Sequence, residues 1–88
     1  MATEATPQTV EAAEEQVIDV IRKLAEEVGG GRAARAVAPR ASLDRDIGLG
    51  SLEKVELLVR LEAAFGRPFD DRFLALDTPR EFARLLVD

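Results

Sequence analysis

The chain contains no cysteine, which excludes disulfides, thiolate-bound zinc, iron–sulfur centres and a protein thiol nucleophile. Histidine is absent too. With it goes the commonest general base and metal ligand, so neither a Ser–His triad nor a histidine zinc site can come from this chain alone. Self-contained hydrolase chemistry is not expected, and no metal is. Trp and Tyr are also missing, and the four Phe fall in helical or turn contexts without interleaved basic residues. A base-stacking platform therefore has little to build on, and nucleic acid is not an expected partner. No apolar run approaches the ~18 residues of a membrane span. The opening MATEATPQ lacks the basic and apolar regions of a secretory signal. The expected location is the cytoplasm.

What is present suits one small packed domain. Of the 88 residues, 47% are hydrophobic and 33% charged, enough for an interior beneath a charged surface. Twelve basic residues against 17 acidic give a net charge of −5. That balance disfavours phosphate backbones and anionic membranes and permits partners with basic faces, although solubility alone also accounts for it. The expected layout is a flexible tail over residues 1–9 and a single domain over residues 10–88.

Apolar residues Val10, Ala13, Val17, Val20, Ile21, Leu24 and Val28 recur at three and four residues, which predicts a first helix with one buried face. Glu11, Glu14, Glu15, Asp19, Arg22, Lys23, Glu26 and Glu27 occupy its other side, and Gly29, Gly30 and Gly31 are expected to end it. Residues 29–50 then read as a long connection, with a turn or two of helix around Arg32 and Arg35 limited by Pro39, and with Leu43 and Ile47 as anchors. Connections of that length are usually functional or mobile. A second helix runs from Ser51 to the breaker Gly66 through strong helix formers. Its apolar positions sweep roughly 220°, wider than the ~100° that burying one face requires. Phe69, Phe73 and Leu74 are expected to point inward from a short third helix. Thr78-Pro79-Arg80-Glu81 is a capping box opening a final helix with Phe82, Leu85 and Leu86 on its apolar side. No strand-like alternation occurs. The predicted fold is all-α, a small four-helix bundle of three main helices and one short one.

Gly48-Leu49-Gly50-Ser51 fits none of the common glycine motifs. A dinucleotide fingerprint needs a preceding strand and a glycine where Glu53 stands, and a phosphate-cradling NTPase loop needs a lysine before the serine. Asp44-x-Asp46 has the start of a calcium loop, but its turn glycine would fall on Leu49 and its terminal glutamate on Val55. What remains is a serine at a helix start, for which an N-cap is the plainest role.

The run Asp46-Ile47-Gly48-Leu49-Gly50-Ser51-Leu52, then Val55-Glu56-Leu57, then Leu61-Glu62 to Phe65-Gly66 resembles the acyl carrier protein family. That family's pattern is Asp-Leu-Gly-x-Asp-Ser-Leu followed by Val-Glu-Leu and a Leu-Glu-x-x-Phe ending. Helix order extends the likeness over nearly the whole chain, and the length suits a free-standing carrier. The resemblance implies that Ser51 receives a 4′-phosphopantetheine arm from coenzyme A through a separate phosphopantetheinyl transferase. An acyl or aminoacyl unit would then hang from the arm as a thioester, and the chain itself would be noncatalytic. The implied partners are that transferase, an acyl- or aminoacyl-loading enzyme, and ketosynthase, acyltransferase or condensation-type enzymes of polyketide, nonribosomal peptide or fatty acid biosynthesis. A monomer is expected.

The second helix is the implied docking surface. Leu52, Val55 and Val59 would meet a partner while Leu57, Leu58, Leu61 and Phe65 fill the interior; alternatively, the long connection covers the extra apolar area. Glu53, Glu56 and Glu62 match acidic positions that family partners read, and they are equally natural on a solvated face. Two departures stand out: Gly50 replaces the family's Asp, and Arg60 lies amid the acidic face, with three further arginines and no acid over residues 29–42. Whether Phe65, Phe69, Phe73 and Phe82 line or fill an acyl cavity stays open. The competing reading is an unmodified helical module that binds a partner through the second helix.

Overall fold

Helix α1 spans Val10–Arg35. A computed structural model describes residues 9–87 of the chain. The tail expected over residues 1–9 therefore lies, up to Gln8, outside the described residues. Thr9 caps α1 by accepting the Ala12 N–H at 3.0 Å, satisfying one of the donors a helix start leaves free. The three glycines do not end this helix. Gly30 breaks it with φ 78° and ψ −166°, a backbone state that only glycine adopts cheaply. Helical geometry then resumes to Arg35, since Arg-Ala-Ala-Arg are good helix formers and Ala33 is buried.

Two more helices complete the frame. Helix α2 spans Ser51–Phe65 and helix α3 spans Pro79–Val87. A π-helical turn over Leu43–Ile47 and a 3-10 helix over Asp71–Ala75 lie between them. Helix α1 packs chiefly against α3 and also against α2. Val17, Ile21 and Leu24 of α1 meet Leu57, Leu61 and Phe65 of α2 and Phe82 and Leu86 of α3 in one core, with Phe73 from the 3-10 helix. Phe73 stacks on Phe69 at 4.1 Å between ring centroids and lies 6.2 Å from Phe82. The aromatics fill the interior, and the described residues enclose no pocket. Among the described residues, no helix is long and apolar enough to cross a membrane.

Some individual placements differ from the periodicity. Glu14, assigned to the polar side, is buried and paired with Arg80, whose Nε donates to Oε2 at 2.7 Å. The pair ties α1 to the first turn of α3, so the buried Glu14 carboxylate has its counter-charge beside it. Val28, two residues before the break at Gly30, is exposed, and Leu74 is exposed because a 3-10 turn of five residues carries only Phe73 inward. At the entry to α3 the Thr78 hydroxyl accepts the Glu81 N–H at 3.2 Å. The Glu81 carboxylate reaches one residue further back than a strict capping box, to the Asp77 N–H at 2.7 Å.

The connection is held at several points. Pro39 O accepts the Arg80 N–H at 2.9 Å, and the Leu43 N–H donates to Asp77 O at 2.8 Å. Leu43, Ile47 and Leu49 are all buried. Gly48, at φ 91° and ψ 27°, closes the π-helical turn, and its N–H and that of Leu49 both donate to Leu43 O. A Cβ there meets no atom within 4 Å, so Gly48→Ala isolates the backbone cost. That variant should lose about 1–2 kcal/mol of stability in a denaturant titration, the cost of left-handed geometry for an L-residue.

Candidate functional site

The closed turn at Gly48 and the buried Leu49 deliver the chain to the start of α2. The residue that caps this helix is Gly50, in extended geometry, and the first helical residue is Ser51. The Lys54 N–H closes the first turn on Gly50 O at 3.0 Å. Ser51 is therefore not the N-cap. Glycine has no side chain to bond the helix N–H groups, so only the return half of a capping box forms: the Gly50 N–H donates to Glu53 Oε1 at 3.0 Å.

This leaves the Ser51 hydroxyl in an unusual position. Four described residues carry a hydroxyl: Thr9, Ser42, Ser51 and Thr78. Thr9 accepts the Ala12 N–H, Ser42 accepts the Arg45 N–H at 3.0 Å, and Thr78 accepts the Glu81 N–H. Ser42 is also 2% exposed, with its own N–H donating to Asp46 Oδ2 at 2.7 Å. Ser51 alone among them is exposed with its hydroxyl outside any cap. The backbone N–H groups of Ser51, Leu52 and Glu53 likewise have no acceptor among the described residues. A phosphodiester at this oxygen would meet free donors and the positive end of a 15-residue helix. The residues fit an anionic attachment.

Helix α2 divides its wide apolar arc between two faces. Leu57, Leu61 and Phe65 point into the core with Leu58 half-buried, whereas Leu52, Val55 and Val59 are 80%, 51% and 56% exposed. At 3.6 residues per turn the latter three form one stripe opposite the core. The connection buries its own Leu43, Ile47 and Leu49 and leaves that stripe uncovered.

The three acidic positions of α2 are all engaged inside the chain. Glu53 holds the Gly50 N–H, and Glu62 Oε2 accepts the Phe69 N–H at 2.7 Å. Glu56 Oε2 accepts Arg60 Nε at 2.9 Å. Arg60 also reaches α1, where Nη1 and Nη2 donate to the two oxygens of Glu27 at 3.1 and 2.7 Å. Those hydrogen bonds hold the Glu27 carboxyl below the usual glutamate range, with burial opposing them and the Arg60 charge adding to them. Hydrogen bonds to Glu27 and then Glu56 push the Arg60 guanidinium further up. Sequence periodicity places Glu27 on a polar face but carries no signal for a partner 33 residues away.

A family model described as the phosphopantetheine attachment site matches residues 16–86. No curated protein and no solved structure matches the chain. The match begins in α1, crosses the free serine and α2, and ends in α3, so the helical bundle described above is a carrier-protein domain. The chain belongs to this phosphopantetheine attachment family, within the acyl carrier group, and its domain is a place of covalent 4′-phosphopantetheine attachment.

Proposed function

We propose that Ser51 is the attachment residue and that the chain delivers an acyl or aminoacyl cargo to partner enzymes in the cytoplasm without catalysing a reaction. The observation that carries this reading is the Ser51 hydroxyl, exposed and outside any cap while the other described hydroxyls each hold a helix or turn start. When attached, the arm supplies the thiol that the chain lacks. Cysteine and histidine are absent, so no protein thiol or imidazole competes for the cargo. With no resident base beside Ser51, a separate phosphopantetheinyl transferase activates the hydroxyl. The chain acts as a monomer, with the described helices as its one carrier domain.

Any enzyme that reaches Ser51 must approach along the first turns of α2. Leu52, Val55 and Val59 form the contact stripe, with Glu53, Glu56 and Glu62 setting encounter rate and specificity more than affinity. A loading enzyme and ketosynthase, acyltransferase or condensation-type enzymes would share that approach with the transferase. The departures at Gly50 and Arg60 favour a dedicated pathway, polyketide or nonribosomal peptide assembly, over general fatty acid synthesis.

Incubation with coenzyme A and a broad-specificity transferase should add one arm by intact mass. The double variant Leu52→Ser/Val59→Ser should lower kcat/KM for that transfer about tenfold, from two lost apolar contacts. Its thermal midpoint should stay unchanged, because both side chains are exposed. A wild-type chain that takes no arm would favour an unmodified interaction module instead.

A further inference from the structure

Arg60 occupies the flank of the exposed stripe, one residue after Val59. All three of its guanidinium nitrogens donate within the Glu27–Arg60–Glu56 network, and its side chain remains 31% exposed against 58% for Glu27 and 51% for Glu56. Two carboxylates and one guanidinium therefore sit together beside the docking stripe with a local charge of −1. Without Arg60 the same two carboxylates would face a partner unpaired, at −2.

We propose that Arg60 is a specificity-determining residue: by holding Glu56 and Glu27 in an internal ion-pair network, it masks the acidic flank of α2, so that partners dock chiefly on Leu52, Val55 and Val59. The inference rests on the reading of α2 as the docking helix and adds to it the kind of partner selected, one with an apolar docking face and little need of basic residues. The other two acids agree with this. Glu53 and Glu62 each spend an oxygen on a backbone N–H of this chain, which leaves no carboxylate of α2 wholly free for a partner's lysine or arginine. Arg60 acts through Glu27 and Glu56 and has no part in the transfer chemistry. It is a positioning residue.

The two ends of the network give a test that a purely structural role cannot mimic. Arg60→Gln makes the flank more negative, and Glu27→Gln makes it less so, yet both variants break the same bridge. For arm transfer by a broad-specificity transferase with a basic docking face, at low salt, KM should fall about threefold in Arg60→Gln and rise about threefold in Glu27→Gln. kcat should be unchanged in both, and the differences should vanish by about 0.5 M NaCl, where surface charges are screened. Loss of the α1–α2 bridge as a structural element would instead move KM in the same direction for both variants and persist in salt. That result, or three equal KM values, overturns the inference while the wild-type chain still takes its arm. A wild-type chain that takes none removes the attachment reading and this inference with it.

Discussion

Ser51→Ala is expected to abolish arm addition completely while leaving the fold as it is. The hydroxyl makes no cap, so its removal deletes no hydrogen bond that the structure uses, and alanine is the best helix former for the first turn. The matched control is the chain's other serine. Ser42 N-caps the π-helical turn and is buried, so Ser42→Ala should keep full arm addition and lose about 1 kcal/mol of stability. Intact mass after transferase treatment, read beside thermal unfolding, separates the two serines. Arm addition surviving in Ser51→Ala would move the attachment elsewhere.

Phe73→Ala should have the largest effect on stability. The ring is 1% exposed, stacked on Phe69 and close to Phe82, and it joins the end of α2 to α3 through a turn of only five residues. Truncating a buried phenylalanine costs about 3–5 kcal/mol. A chain of this length holds about 4–13 kcal/mol in total, so the variant should lose much of its cooperative unfolding in a denaturant titration. Leu74→Ala, at the exposed neighbour, should change stability by less than about 0.5 kcal/mol. Equal effects at the two positions would contradict the inward placement of Phe73 alone.

The helices were legible because their apolar spacing is strong, and the second was anchored by Gly66, whose φ of 67° ends α2 as its sequence position suggests. Periodicity failed where a charge has a distant partner. Glu14 looks solvent-facing from its neighbours, and only the fold brings Arg80, 66 residues away, to cover it. The same limit hid the Glu27–Arg60 pair. Three consecutive glycines read as a stop, but one residue in an unusual backbone state was enough to bend α1, and the alanines beyond it could re-enter a helix. Leu49 carried a weak signal as an apolar residue two after the anchor Ile47. At the site, the serine's position was plain from the motif. Its freedom from capping was not, because that depends on whether residue 50 or 51 takes the extended geometry before α2.

Attachment at Ser51 can be read directly by locating the arm in chain purified from cells that make it. Trypsin cuts after Arg40, Arg45 and Lys54, which places Ser42 in the peptide of residues 41–45 and Ser51 in the peptide of residues 46–54. Tandem mass spectrometry should find the pantetheine fragment ejected from the second peptide and none from the first. An arm on any other peptide, or residues 46–54 recovered wholly unmodified after transferase treatment, would contradict attachment at Ser51.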